Sequence, residues 1–339
     1  MKKTISLLVV LLLVQLGLVG YFRSNSQSTA TYVADEPLFH FSPDNVTAIT
    51  IIGPDNKKVE LVKKDSAWKL PGYFNGPADQ EQVNALLDKL SGLKKTWPVA
   101  TTTEAATRFK VAADKFERHI IIIGKEKTVP AELYVGTSPS FRKVHIRLPA
   151  GHNIMAVSLA TSDAPAEPAP WLDKKIIALN QDGITGLSIR NIRLRHKGKK
   201  WTLAGEGGQR QQVVADKVQP LVQALTGLRV EGILGSNELP EYGLEKPVLR
   251  CQVEQQGKPS IVYRFGALKD ENFYAVKRSD VPFIFKVAKW QLTPLAKLTR
   301  NQLLPKKPSG NSGKKTTQNQ PTGREKTTAP AQKAAPGKQ

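Results

Sequence analysis

The sequence is poor in the residues that build reactive centres. Cys251 is its single cysteine, so no disulfide can close within the chain and no cysteine cage can hold a metal. In Leu249-Arg250-Cys251-Gln252-Val253 the alternation sets Cys251 on the apolar face of a strand, which predicts a buried, inert thiol. The five histidines, His40, His119, His145, His152 and His196, have neither i, i+4 nor His-x-His spacing. Converging zinc ligands are not legible in that scatter. Ser66-Ala67-Trp68-Lys69 has Ser-x-x-Lys spacing, but positions three apart on a strand point to opposite faces. Gly205-Glu206-Gly207-Gly208 lacks the Gly-Lys-Ser/Thr of a phosphate-binding loop and reads as a hairpin. No nucleophile stands with a base, so the expectation is a non-enzymatic protein without cofactor or metal.

Acidic residues are also scarce, 29 against 50 Lys and Arg, for a formal net charge of +21. Such a charge suits nucleic acid only if the protein meets it in the cytoplasm. Residues 305–339 are rich in Lys, Thr, Gln, Pro and Gly and nearly devoid of apolar side chains, the composition of a disordered basic tail.

Long apolar runs are missing with one exception. Lys2 and Lys3 precede a run from Ile5 to Phe22. About 18 residues at 1.5 Å rise span about 27 Å, close to the core of a bilayer. Ser28-Thr29-Ala30 offers a cleavage site instead, but the run exceeds the usual apolar stretch of a cleaved signal. Residues 1–4 then form a cytoplasmic stub, 5–22 a transmembrane anchor and 23–41 a linker, with the bulk of the chain periplasmic. The expected location is the bacterial inner membrane, single-pass. Nucleic acid is thereby excluded as a partner.

What the sequence does contain is a duplication. Val83, Leu86, Leu87, Leu90 and Leu93 recur at the same intervals as Val218, Leu221, Val222, Leu225 and Leu228, a helical apolar stripe in both places. Upstream, strand-like 46–51 matches 184–189, and Trp68-Lys69-Leu70 matches Trp201-Thr202-Leu203. Asp79 with Gln82, and Asp216 with Gln219, read as helix N-caps. Trp68, Asp79, Trp201 and Asp216 are thus structural markers of the repeat, each tryptophan expected beneath its own helix. Further strands are expected near 119–123, 132–136, 142–148, 154–159, 248–253, 261–265, 273–277 and 283–287. Trp171–Ile177 reads as a short helical connector and 288–298 as a final helix. The fold class is α+β: two tandem similar units, 42–178 and 179–304, each a mostly antiparallel sheet with one packed amphipathic helix.

This order of strands, tryptophan, capped helix and later strands resembles the bacterial family called domain of unknown function 4340. The likeness is carried by Trp201-Thr202-Leu203, Ala215-Asp216, Leu225-Thr226-Gly227-Leu228 and Tyr242-Gly243-Leu244-Glu245-Lys246-Pro247. The first unit keeps Trp68-Lys69-Leu70, Ala78-Asp79 and Leu90-Ser91-Gly92-Leu93, but has Phe109-Lys110-Val111 where Tyr-Gly-Leu would stand. The resemblance spans 42–304 and implies a membrane-anchored envelope protein associated with ABC transporter components of the gliding-motility type. It implies no active site.

One run is not explained as core: Arg190, Arg193, Arg195, Lys197, Lys199 and Lys200, with Ile192 and Leu194 alternating against the arginines. A strand would turn this row outward, either as a solvated face guarding a sheet edge or as a surface for anionic headgroups or an acidic partner. Two functions follow as expectations. The first is an auxiliary or scaffold subunit of an ABC-type transporter; the second is an extracytoplasmic protein binding an anionic lipid or glycan at the junction of the repeats.

Overall fold

The computed structural model describes residues 11–12, 14–17, 36–198, 200–205 and 209–305. The first repeat runs β1 (Val46–Ile52), β2 (Lys58–Lys64), β3 (Ala67–Leu70), β4 (Gly76–Pro77), α1 (Gln80–Ser91), β5 (Pro98–Ala100), α2 (Thr103–Arg108), β6 (Arg118–Gly124), β7 (Ala131–Val135), β8 (Val144–Arg147) and β9 (Ile154–Val157). The second runs β10 (Ile184–Ile189), β11 (Ile192–Lys197), β12 (Lys200–Ala204), β13 (Arg210–Gln212), α3 (Ala215–Thr226), β14 (Gly232–Gly235), β15 (Leu249–Gln255), β16 (Lys258–Ala267), β17 (Phe273–Arg278) and β18 (Ile284–Ala288). Short helices α4 (Thr293–Ala296) and α5 (Arg300–Leu303) follow.

Each repeat forms an antiparallel nine-stranded sheet, ordered β4-β3-β2-β1-β6-β7-β8-β9-β5 and β13-β12-β11-β10-β15-β16-β17-β18-β14. The two orders correspond strand for strand. Even the irregularities match: the β1–β6 register slips between Val46 and Ala48, and β10–β15 slips between Ile184 and Gly186. The fold is therefore a two-unit α+β arrangement built on a true repeat.

Alternation dictates which face packs. Ile49 and Ile51 pair with Leu61 and Val59 on one side and with Ile122 and Ile120 on the other, and all six are buried. Against that face lies α1, through Val83, Leu86, Leu87 and Leu90. The α3 residues Val218, Leu221, Val222 and Leu225 do the same in the second repeat. Both sets belong to one hydrophobic cluster that runs through the two repeats. Trp68 is fully buried, whereas Trp201 is partly buried and stacks on His196 at 4.5 Å.

The joint between repeats is packed. Tyr73, in the β3–β4 turn, accepts a hydrogen bond at Oη from Ile233 N of β14 at 3.0 Å. A side chain at Gly232 would strike that hydroxyl, and one at Gly76 would strike Ile233. Tyr263 reaches across from β16 and donates to Ile177 O at 2.7 Å.

Four expectations need correction. Asp79 caps α1, accepting from Glu81 N and Gln82 N at 3.0 and 3.1 Å. Asp216 is no cap: α3 starts after Val214, leaving Asp216 inside the first turn. The reason is register, since Asp79 precedes Val83 by four residues while Asp216 precedes Val218 by two, so Val214 stands in the place of Asp79. Ala78 N and Val213 N confirm the alignment by donating to Trp68 O and Trp201 O. Second, residues 36–41 are not linker, because Pro37 bridges Lys94 and the apolar side chains of Leu38 and Phe39 are buried. Third, Trp171–Ile177 is not a helix; Ala169–Trp171 makes one 3₁₀ turn, after which Leu172 bridges Ala78. Fourth, the final helix expected over 288–298 is a 3₁₀ turn, Lys289–Leu292, followed by the short helix α4, with α5 lying beyond it.

The supposed anchor, 5–22, lies outside the described residues except for 11–12 and 14–17, which are helical. Among the described residues no helix is long and apolar enough to cross a membrane. Residues 1–4, 23–35 and the tail from 306 onward are likewise outside the described residues.

Candidate functional site

The basic row begins at the two-residue turn Arg190-Asn191, where Arg190 adopts a positive φ of 52° and β11 leaves antiparallel to β10. Ile192 and Leu194 point into the core; Arg193 and Arg195 point away and are exposed. The six residues do not act alike. Arg190 donates through Nη2 to Ala296 O at 3.0 Å, fastening the C-terminal helices to the sheet. Arg195 pairs with Glu254 across Gly186, whose missing side chain leaves room for the carboxylate. Lys197 and Lys200 face one another at the exposed end of the β11–β12 hairpin, and Lys199 lies outside the described residues.

Arg193 has no carboxylate partner among the described residues and lines a concavity of roughly 710 Å³. Its other walls are Asn191, Ala204, Gly205, Gln209, Gln211 and Arg300. Arg300, at the start of α5, is held by Ala204 O at 2.9 Å and Gln211 Oε1 at 3.3 Å, which fixes its guanidinium at the rim. Two guanidinium groups among side-chain amides form a donor-rich hollow, suited to a carboxylate, sulfate or phosphate group. Sequence reading found Arg193 but missed Arg300, Gln209 and Gln211. Only the C-terminal fold-back places Arg300 there, and no local pattern announces it.

Cys251 is fully buried with Leu249 and Val253, and burial pushes its thiol up to about 12. It is no nucleophile. His119 bonds Glu132 at 2.7 Å, and His145 bonds Thr137 Oγ1 at 2.9 Å. No group of three His, Cys, Asp or Glu side chains converges for a metal among the described residues.

The loose motif Phe109-Lys110-Val111 proves to be the structural twin of Tyr242-Gly243-Leu244. Lys110 and Gly243 share a left-handed backbone, φ 56° and 61°. Each turn presses its carbonyls onto a glycine at a strand end, Gly136 and Gly266, where any Cβ would collide with backbone.

The family model for a domain of unknown function (DUF4340) matches residues 68–247, more than half of the chain, from the tryptophan of the first repeat to the Tyr-Gly-Leu-x-x-Pro segment of the second. Neither a curated protein nor a solved structure matches it. The chain therefore belongs to the DUF4340 family of proteins.

Proposed function

We propose that this chain is a non-enzymatic, membrane-anchored envelope protein that serves as an auxiliary or scaffold subunit of an ABC-type transporter, with its two repeats on the periplasmic side of the inner membrane. The observation that carries this reading is the apolar cluster that runs unbroken through both repeats. The joint is closed where a ligand cleft would otherwise open, with Ile233 packed against Gly76 and its amide bonded to Tyr73. What remains for function is outer surface, which suits protein contact better than turnover. The apolar run of residues 5–22 supplies the anchor in this reading. Gentle extraction of the native protein from membranes tests it: permease and ATPase subunits should co-purify, and a lone monomer would overturn it.

The concavity at Arg193 and Arg300 favours a second reading, an anionic lipid or glycan held on the second repeat and not at the joint. Changing Arg193 and Arg195 to Glu should weaken the binding of a soluble anionic headgroup, such as glycerol phosphate, to the full chain in detergent. Unchanged binding would remove this second reading and leave the first in place.

A further inference from the structure

The described chain joins the first repeat at one end of its sheet. Glu36 O accepts from Lys95 N at 2.8 Å and Leu38 N donates to Leu93 O at 2.7 Å, so residues 36–38 lie alongside the segment that links α1 to β5. Trp97, the last residue of that segment, is 70% exposed, and Val99, two positions on in the edge strand β5, is 51% exposed. The β7–β8 loop reaches the same end, because Thr96 Oγ1 donates to Ala156 O while Val157 pairs with Val144. At the loop tip Phe141 is 86% exposed, with the Arg142 guanidinium 5.0 Å from its ring centroid. The loop is held in shape: Ser138 Oγ lies 2.9 and 2.6 Å from Ser140 O and Lys143 O.

The fold does not demand these residues. By strand register Trp97 and Val99 correspond to Gly232 and Leu234 in the second repeat, and Phe141 and Arg142 to Glu271 and Asn272. Aromatic rings exposed beside Lys94, Arg142 and Lys143 have the composition of a surface that settles among lipid headgroups. Thirteen residues, 23–35, separate Phe22 from Glu36 and span at most about 45 Å even when fully extended. A tether of that length keeps this end of the folded chain within about 45 Å of an anchor at Phe22.

We infer that the β5 edge and the β7–β8 loop of the first repeat rest on an anionic bilayer surface, with Trp97, Val99 and Phe141 in the headgroup layer and the neighbouring cations against phosphate. The inference rests on the anchored reading of residues 5–22. Phe141→Cys and Glu271→Cys, each made in the full chain, place an environment-sensitive fluorophore at equivalent sites of the two repeats. Native Cys251 is buried and will not compete for the label. In vesicles of phosphatidylcholine and phosphatidylglycerol, the label at 141 should shift to the blue and be quenched by headgroup-proximal spin-labelled lipid, while the label at 271 stays unquenched. Equal quenching at both sites, or at neither, in protein that still floats with the vesicles overturns the inference and leaves the anchor standing. Loss of flotation after an alkaline wash would instead remove the anchor, and the inference with it.

Discussion

Ile49, Ile51, Leu61 and Ile122 of the first sheet correspond by register to Leu187, Ile189, Leu194 and Val253 of the second, and all of them are buried. One pleat away the correspondence fails. Ala48, Val62, Ile121 and Ile123 on the outer face of the first sheet stand where Gly186, Arg195, Gln252 and Glu254 stand on the second. The inner face is constrained by close packing against a helix, where a change of one methylene is felt. The outer face has no such constraint, and at these positions it is apolar in the first copy and mostly polar or charged in the second. Differences between the copies therefore gather on the surface, and the basic hollow belongs to one copy alone.

The strongest way to break the comparison is at the paired glycines. Gly136→Ala and Gly266→Ala should each cost about 3–5 kcal/mol, because the new methyl meets carbonyls that cannot swing aside. Denaturant midpoints of the two variants should fall together; a tolerated alanine at either site would show that the turns are not twins. Next is the joint. Tyr73→Phe leaves Ile233 N without its acceptor and should lose about 1–3 kcal/mol, read by the same titration.

The helix starts sharpen the contrast at a smaller scale. Asp79→Ala should cost about 1 kcal/mol, whereas Asp216→Ala should cost only about 0.3 kcal/mol, the value of a charge near a helix dipole. Equal losses in thermal melts would restore Asp216 as a cap. On the outer face, Arg195→Val installs the first repeat's residue and should change stability by less than about 0.5 kcal/mol, since the ion pair with Glu254 is exposed.

The smallest effect is a pH dependence confined to one repeat. Burial lowers the pKa of His145 from 6.5, and the second repeat has Ala275 in its place. The unfolded chain therefore takes up this proton first. His145 contributes stability that is present above about pH 6.5 and lost as pH falls from there toward its lower folded value. His145→Ala should flatten that part of the stability profile measured between pH 7 and pH 5, and an unchanged slope would refute it.

Much of the fold was legible because its signals are local. The apolar stripes of α1 and α3 and the alternation of β1–β3 and β10–β12 are readable within a dozen residues. Edge strands β4, β5, β13 and β14 and helix α2 were not foreseen, since two to six residues held by distant partners carry too little periodicity. Asp216 was misread because an aspartate near a helix start looks like a cap, although the spacing to Val218 already placed it inside. The site was half legible. Arg193 declares itself by alternation, but Arg300 and Gln211 reach the hollow only through long-range folding that no spacing encodes.

The docking of Tyr73 onto β14 is head-to-tail: a turn of one module seats on the edge of the next, a geometry that in principle extends without limit. Here the two edges are not alike. Trp97 and Pro98 occupy in the first module the places that Gly232 and Ile233 hold in the second, so the notch for the tyrosine is filled and the amide that would grip it does not exist. The β5 edge of the first module therefore cannot take up a tyrosine as the β14 edge of the second does, and two edges equivalent by register are not interchangeable as sockets.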